Sequence, residues 1–455
     1  MSIFATVVAT SQHELVLMAA VGIAVIGIDD LIIDLIWIGR KLWRRYAVYT
    51  RYSRATVSDL PPSTAPGTMA VFIPTWDESG VVAAMLRNTL RTWHNQKVKL
   101  YVGCYPNDDA TFAAIRSVND PAIRIVICDR AGPTTKADCL NAIWRALARD
   151  EAVHDFKAKA FILHDAEDIV HPKELIVFDR LIDRFALIQL PVIPLLNPKS
   201  RWIGGHYMDE FCEAHGKDMV VREAIGARLP LAGVGCAIRR DTLLNIARAN
   251  AGNPFDATSL TEDYELGLKI NPAASRSVFV RLTDPETGKI VAVRAHFPAT
   301  LDTAVRQKTR WIFGIALAEW DRVGWSGGFA EHWMRFRDRR TLFAAIILIS
   351  AYTSLLLTAL LALCDIPMIG LGRSLSILLG VNALLLLWRM IIRIAFVGAE
   401  YGWREGLFSA PRMIISNIIA IMAARRAVFQ YLLFLRNGKT TWDKTSHAFP
   451  DVTDT

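Results

Sequence analysis

The chain has 455 residues, a formal net charge of +8, 52% hydrophobic residues and a mean hydropathy of +0.27. Its apolar share exceeds that of an ordinary soluble protein, and the excess lies at the two ends of the sequence. The six cysteines show no paired CxxC spacing, which excludes a zinc ribbon or a disulfide framework and predicts reduced thiols. Many basic residues stand beside apolar segments, so anionic lipid rather than nucleic acid is the expected partner. Examples are Arg335, Arg337, Arg339 and Arg340.

Residues 15–38 form an apolar stretch that is long enough to cross a bilayer. Three acids interrupt the stretch and four basic residues follow it at once. Because basic flanks favour the cytoplasm, we expect the C-terminal end of this helix to face that side. Residues 1–45 are therefore predicted to be a transmembrane helix with its basic flank. The acids are Asp29, Asp30 and Asp34, and the basic residues are Arg40, Lys41, Arg44 and Arg45.

The C-terminal region, residues 331–436, contains further apolar stretches. Residues 342–363 and 375–397 are each long enough to span a bilayer, and the polar turn between them predicts a helical hairpin. A third stretch, residues 413–435, carries Arg425 and Arg426 near its centre, whose burial in lipid costs roughly 2.5 to 3.5 kcal/mol each. We expect this helix to lie at the membrane interface or to line a protein cavity, which leaves three or four spanning helices.

The middle of the chain, residues 46–330, is predicted to be one α/β domain. Between residues 68 and 325, short β-rich runs alternate with amphipathic helical stretches, as a mostly parallel sheet covered by helices requires. In such sheets ligands bind beyond the carboxyl ends of the strands, and polar residues follow each predicted strand. No G-x-G-x-x-G motif or P-loop opens a helix, which argues against dinucleotide and ATPase functions. The strands are predicted at residues 69–73, 100–105, 123–128 and 160–164.

Charged residues near these strand ends indicate a nucleotide pocket. Glu78 and Asp108 follow the first two strands, and Lys136 stands near a helix start, where its charge can face a diphosphate. Each signal has an ordinary alternative when taken alone. Glu78 is also suited to cap the following helix, and Lys136 is also suited to a solvated surface.

Asp165 and Glu167 form the strongest candidate metal site. They follow an apolar strand directly, and their spacing allows two carboxylates to address one divalent ion. Hard oxygen ligands suit Mg²⁺ or Mn²⁺, which typically join carboxylates to substrate phosphates. The alternative is a solvated acidic turn at the end of a strand.

Six motifs follow one another in a fixed order: residues 74–78, residues 136–141, Asp165-Ala166-Glu167, Gly233-Val234-Gly235, Thr261-Glu262-Asp263 and Gln307-Lys308-Thr309-Arg310-Trp311. This order resembles the processive family 2 glycosyltransferases, which include cellulose, chitin and hyaluronan synthases. A closer resemblance, to one inner-membrane subgroup of that family, rests on residues 164–168 with His171-Pro172 and on residues 442–447 with Phe449-Pro450. The resemblance spans nearly the whole chain.

The resemblance implies a GT-A fold, a nucleotide-diphosphate sugar donor for which uridine is inferred, and a divalent cation. Asp263, beside Glu262, is then the base that deprotonates the acceptor hydroxyl, and a single displacement inverts the anomeric centre. The implied donor contacts are Thr75, Glu78, Asp108 or Asp109, Lys136 and Asp165. The implied contacts to the diphosphate and the acceptor are Gly233, Gly235, Gln307, Arg310 and Trp311. Trp202, His206 and Tyr207 are expected on the acceptor side.

The tail, residues 437–455, resembles in position the gating segment by which related synthases cover the bound nucleotide. Trp442, Lys444, Thr445 and His447 are its candidate residues, and a polar tail without a role is the alternative. Some relatives carry a further regulatory domain after the membrane region. Because the sequence stops at Thr455, we expect control by a cyclic dinucleotide, if present, to require a separate subunit.

Several questions stay open at this stage. Many relatives have Asp-x-Asp at the metal motif, so either Glu167 or Asp168 completes the site. The membrane acids Asp30 and Asp34 either line the entrance of a glycan path or pair with arginines for assembly, and we favour pairing. The candidate arginines are Arg389, Arg393, Arg425 and Arg426.

The expected activity is polymerisation of a sugar at a bacterial inner membrane, with the α/β domain in the cytosol and an outer-membrane or periplasmic partner for export. The alternatives are transfer of one sugar to a lipid carrier and an inactive membrane scaffold.

Overall fold

The apolar runs of the middle region form strands in a computed structural model that describes residues 3–270, 276–438 and 449–450. The strands are β1 (Thr68–Pro74), β2 (Val98–Cys104), β3 (Ile123–Ile127), β4 (Ala158–Leu163), β5 (Leu187–Gln189), β6 (Val192–Pro194), β7 (Cys236–Arg239), β8 (Ser277–Phe279) and β9 (Val293–Ala295). Seven of them form one sheet in the order β3-β2-β1-β4-β7-β5-β8, and β6 pairs separately with β9.

The first half of the sheet is parallel. β1 pairs in parallel with β2 and with β4, and β2 pairs in parallel with β3. β7 then runs antiparallel between β4 and β5. The predicted mostly parallel sheet is therefore confirmed. Because β1, β2 and β4 run the same way, the residues that follow Pro74, Cys104 and Leu163 meet at one edge of the sheet.

Helices cover both faces of this sheet and extend into the terminal regions. The helices of the described residues are α1 (Ile3–Trp43), α2 (Val82–Thr92), α3 (Asp109–Arg116), α4 (Lys136–Val153), α5 (Glu174–Leu181), α6 (Ile203–Glu213), α7 (Met219–Ala224), α8 (Arg240–Ala249), α9 (Glu262–Lys269), α10 (Leu301–Trp311), α11 (Glu319–Val323), α12 (Phe329–Arg339), α13 (Thr341–Leu363), α14 (Arg373–Tyr401) and α15 (Trp403–Asn437).

The core lies on the two faces of the central strands. On one face, Phe72 and Phe161 pack with Ile143 and Trp144 of α4. The opposite face packs β1 and β4 against α2 and α5. A parallel strand that is covered on both sides has apolar residues at nearly every position, which explains the sequence of β1. This double cover leaves the strand ends as the open edge of the sheet.

Four helices of the described chain are long and apolar enough to cross a membrane: α1 with the turn that follows it, α13, α14 and α15. The two helices of the predicted hairpin are present as α13 and α14. α1 packs closely against both of its members. A Cβ atom at Gly22 would overlap the side chain of Ile347, and one at Gly27 would lie 3.0 Å from the side chain of Leu385.

The acids of α1 pair with basic side chains. Asp30 contacts Arg389 at 2.5 Å and Arg340 at 2.5 Å, and it also contacts Arg337. The structural pairing that we favoured is therefore confirmed for Asp30 and Arg389. Asp34 instead pairs with Lys217 at 2.6 Å and accepts a hydrogen bond from Trp388. Sequence analysis did not identify Lys217 because it belongs to the α/β region.

The prediction that the arginines of α12 face anionic lipid is wrong. Arg337 and Arg340 bind Asp29 and Asp30 of α1. Arg335 is fully buried and pairs with Glu331, and the guanidinium of Arg339 packs on Trp320 and Trp325. A buried guanidinium needs partners inside the protein. Arg335 has its partner on α12 itself, whereas the partners of Arg337, Arg339 and Arg340 lie outside that helix.

α15 packs along the α/β region. Near its start, Arg412 is fully buried and forms an ion pair with Asp209 of α6 at 2.7 Å. Near its end, Phe434 packs on Phe313, which follows α10. Phe449, beyond the helix, packs against the core of the sheet. These contacts favour the predicted interfacial position of α15, because both of its ends contact the same α/β region.

Candidate active site

An open cleft with a cavity volume of about 130 Å³ lies at the carboxyl edge of the sheet. The residues of the metal motif, the Thr-Glu-Asp motif and the Gln-x-x-Arg-Trp motif all line it. They come from three parts of the chain that are far apart in sequence. The predicted residues along its walls are Glu78, Lys136, Asp165, Glu167, Glu262, Asp263, Gln307, Arg310 and Trp311.

Lys136 connects the acids of the cleft. Its Nζ lies 2.6 Å from Asp165 Oδ1 and 3.9 Å from Glu262 Oε1. Burial alone would lower the pKa of Lys136, but the carboxylates of Asp165, Glu262 and Asp263 outweigh burial and raise it above its usual range. Lys136 is the first residue of α4, whose N-cap Thr135 accepts a hydrogen bond from the backbone of Asp138. The cap fixes the helix start and therefore the direction of the lysine.

The acids of the Thr-Glu-Asp motif lie in the wall of the cleft, where burial removes much of their contact with water. Burial and the neighbouring charge of Asp263 raise the pKa of Glu262 to about 7, and Lys136 opposes this shift. Burial also raises the pKa of Asp263, again against the charge of Lys136. A carboxylate whose pKa is raised is a stronger base, so this environment suits proton abstraction.

Close packing brings the second and third motifs together. Thr261 stands at the start of α9 and packs on Gly314, one turn beyond Trp311, where a Cβ atom would overlap the threonine side chain. Gly233 packs against the carboxylate of Asp263, the last residue of the Thr-Glu-Asp motif. It has φ +78°, and a Cβ atom there would lie 2.5 Å from Asp263 Oδ2. Gly235, the second glycine of the Gly233-Val234-Gly235 motif, also has positive φ and packs on Val293.

The structure separates the two candidates for the second metal ligand. Asp168 is only 2% exposed, and its Oδ2 binds both His164 Nδ1 at 2.8 Å and the backbone N–H of Asp165 at 3.0 Å. Asp165, Glu167 and Asp168 all border the cleft, but Asp168 Oδ2 already accepts these two hydrogen bonds, which favours Glu167 as the second ligand. Within the described residues, no group of three His, Cys, Asp or Glu side chains is arranged as a metal site. Two carboxylates on an open cleft still suit Mg²⁺ or Mn²⁺, because these ions usually take one or two protein carboxylates plus substrate phosphates.

Two of the predicted donor residues lie behind the cleft wall. Thr75 is fully buried, and its hydroxyl donates to the carbonyl of Gly103 at 2.6 Å. Asp108 accepts from the backbone N–H groups of Asp77 at 2.6 Å and Thr111 at 3.2 Å. Both side chains therefore hold the loops after β1 and β2. The alternative Asp109 is the first residue of α3.

The three residues predicted for the acceptor side do not line the cleft. His206 and Tyr207 are buried, and Trp202 packs on Phe408, so none of the three lines the cleft. Phe211 and Phe297 line it instead, with their rings 4.8 Å apart and Phe211 6.4 Å from Trp311. Sequence analysis missed both phenylalanines because single aromatic residues carry no motif. The predicted tail residues Trp442, Lys444, Thr445 and His447 lie outside the described residues.

The fold and the three converging motifs define the class of this protein. A family model described as "Glycosyltransferase like family 2" matches residues 66–314. The chain therefore belongs to the family 2 glycosyltransferases, has their GT-A fold and is an enzyme of that class.

Among individual proteins, the chain is 35% identical over 454 residues to bacteriophage adsorption protein B of Escherichia coli K12. The bacteriophage N4 adsorption protein B of Escherichia coli O157:H7 gives the same identity. Each alignment covers 94% of this chain and 61% of the relative, so the chain spans about 61% of the length of these curated relatives. The closer resemblance to an inner-membrane subgroup, found in the sequence, is confirmed by this similarity.

A solved structure shows the same fold over most of the chain. It is the mannosyltransferase PcManGT from Pyrobaculum calidifontis in complex with GDP-Man and Mn²⁺. The TM-score is 0.52 at 16% identity, and the match covers 91% of this chain and 99% of that one.

Proposed function

We propose that this enzyme transfers a hexose from a UDP-sugar to a growing glycan with inversion of the anomeric centre. We further propose that it acts at the cytosolic face of the bacterial inner membrane and that the product is an exported polysaccharide. The observation that carries the proposal is the convergence of Asp165, Asp263 and Trp311 on one cleft around Lys136.

The proposed reaction is a single displacement. Asp263 accepts the proton of the acceptor hydroxyl as the oxygen attacks the anomeric carbon of the donor. The bond between that carbon and the diphosphate oxygen breaks, and the nucleoside diphosphate leaves with the bonding electrons. Lys136 and Arg310 place positive charge in the cleft where the negative charge of the leaving group develops. One base and one displacement give inversion.

A divalent cation held by Asp165 and Glu167 would neutralise further charge on the diphosphate. Mn²⁺ is present with the nucleotide sugar in the mannosyltransferase of the same fold, which supports this assignment. Mg²⁺ has the same preference for oxygen ligands.

The acceptor side offers both apolar and polar contacts to a sugar. Trp311, Phe211 and Phe297 provide aromatic surface along one wall. Lys308 packs over the Trp311 ring at 5.0 Å from its centroid and pairs with Glu210, which fixes the indole orientation. The buried Gln307 Oε1 and Thr261 Oγ1 have no hydrogen-bond partner among the described residues. These oxygens are suited to accept hydrogen bonds from sugar hydroxyls.

The Asp263→Asn variant tests the assignment of the base. We expect its transfer rate to fall by roughly 10²- to 10⁴-fold, as for the loss of a general base. Binding of the nucleotide sugar, measured by calorimetry, should be largely retained. Asp302→Asn on the exposed start of α10 is the control and should keep its rate. Wild-type transfer rates in Asp263→Asn would refute the assignment, and a lack of donor cleavage by the unaltered protein would support the inactive scaffold.

Transfer of one sugar to a lipid carrier is the second candidate function. The close packing of α1 on α13 and α14 at Gly22 and Gly27 favours it, because no glycan fits between helices at those contacts. An exported polymer would need a path along α15, a second copy or a partner protein. Incubation of membranes with a panel of UDP-sugars, followed by sizing of the product, distinguishes a polymer from a single addition.

A further inference from the structure

A buried histidine lies directly behind the carboxylates of the proposed metal site. His164 follows β4 and is fully buried. Its Nδ1 lies 2.8 Å from Asp168 Oδ2, and its Nε2 lies 2.9 Å from Glu174 Oε1. Both carboxylates are also buried, at 2% and 0% exposure. We call these three residues the histidine network.

The histidine network fixes both ends of the segment that carries Asp165 and Glu167. At the first end, Asp168 Oδ2 also accepts a hydrogen bond from the backbone N–H of Asp165 at 3.0 Å. At the other end, Glu174 Oε2 accepts from the backbone N–H of His171 at 3.3 Å. Trp93, directly after α2, adds a further hydrogen bond, since its Nε1 donates to the carbonyl of His171 at 3.1 Å.

Stability alone is a weak reason for such a network. Burying ionisable side chains costs several kcal/mol of desolvation each, and apolar residues of similar volume often stabilise a core at least as well. The network also accounts for the spacing of the His-Asp-Ala-Glu-Asp motif. Asp168 borders the cleft but is almost completely buried, and its Oδ2 binds His164 and the Asp165 backbone, whereas Asp165 and Glu167 line the cleft on either side of the small Ala166.

We propose that His164, Asp168 and Glu174 are positioning residues that hold Asp165 and Glu167 in the geometry needed for the divalent cation and the donor diphosphate. This inference rests on the proposed function. Hydrogen-bonded partners behind metal ligands orient those ligands, and removing such partners typically weakens metal affinity by about 10- to 100-fold.

The test measures Mn²⁺ binding by the purified full chain in detergent, in the presence of UDP or GDP. Free Mn²⁺ is quantified by electron paramagnetic resonance, and thermal unfolding is recorded for every variant. We expect Asp168→Asn and Glu174→Gln to raise the Mn²⁺ Kd about 10-fold or more. Glu174→Gln is the milder change, because its amide oxygen still accepts a hydrogen bond from His164. Its Kd decides the test if Asp168→Asn does not fold.

Asp209→Asn is the matched control. It removes a buried carboxylate of similar depth that binds Arg412 and does not line the cleft. We expect it to lower the Tm and leave the Mn²⁺ Kd unchanged. An unchanged Kd in a folded Glu174→Gln variant would overturn the positioning role. Failure of the unaltered chain to bind Mn²⁺ with either nucleotide would instead contradict the proposed function itself.

Discussion

Lys136 Nζ lies 2.6 Å from Asp165 Oδ1, and this contact joins the start of α4 to the end of β4. It places one positive charge among three acids, since the negative charges of Glu262 and Asp263 also stabilise the protonated lysine. The cleft thereby combines the acids that suit a cation and a base with a positive charge that suits a diphosphate.

Replacing Lys136 with Met should weaken donor binding. The three acids would lose their counter-charge and repel the diphosphate, so we expect the KM for the donor to rise by roughly 10-fold or more, given that a charge-assisted hydrogen bond contributes about 1.5–3 kcal/mol. Initial rates over a range of donor concentrations measure this effect. Lys173→Met is the control, because Lys173 pairs with the exposed Glu286 away from the cleft. A donor KM equal to that of the unaltered protein would contradict a donor-side role for Lys136.

Gly233→Ala should displace the proposed base. Its Cβ atom would lie 2.5 Å from Asp263 Oδ2, so the carboxylate must move, and we expect kcat to fall by roughly 10-fold or more, as for a small misplacement of a reacting group. Gly226→Ala is a matched control. Gly226 has nearly the same φ, +77°, but no atom lies within 4 Å of its Cβ position. Both variants carry the backbone strain, so equal losses of kcat would show that strain rather than contact with Asp263 is responsible.

Glu319 should give the protein a pH-dependent stability. Burial and the nearby Glu265 raise the pKa of Glu319 from its usual value of 4.5 to about 8. The folded state therefore binds this proton more tightly than the unfolded state, and the associated stability is lost as pH rises from 4.5 through 8. The loss amounts to at most about 1.4 kcal/mol per pH unit.

Glu319→Gln removes this titration and keeps an oxygen to accept the hydrogen bond from Ser259. We expect the Tm of the variant, relative to the unaltered protein, to increase steadily between pH 5 and pH 8.5. Thermal unfolding in detergent at several pH values measures the difference. Glu286→Gln serves as the exposed control. Parallel Tm curves for Glu319→Gln and the unaltered protein would show that Glu319 does not titrate in this range.

Native Cys364 reports the side of the membrane reached by the hairpin. It is an exposed free thiol directly after α13. If α13 and α14 span the membrane and α15 lies at the cytosolic interface, a membrane-impermeant maleimide should label Cys364 in intact spheroplasts. In a Cys364→Ser background, Asn437→Cys at the end of α15 should react only after the membrane is opened. Labelling of Asn437→Cys from outside would show that α15 spans the membrane.

The sequence alone determined the local elements and the chemical inventory of this protein. The apolar runs of β1 and β4 predict strands because a strand covered on both faces must be apolar throughout. Residues 342–363 and 375–397 predict membrane helices because a bilayer sets their length. The acids and bases of the motifs are also visible, since each motif occupies a few consecutive residues.

Only the tertiary structure decided which of these residues meet. The sequence around Arg337 predicts a lipid-facing residue, but in the fold Arg337 binds Asp29 and Asp30, some 300 residues away in sequence. Asp168 and Glu167 are adjacent acids that both border the cleft, yet Asp168 is almost completely buried and binds His164. Phe211 lines the cleft without belonging to any motif. Side-chain direction and long-range pairing depend on how helices and strands pack against each other, and no short stretch of sequence contains that information.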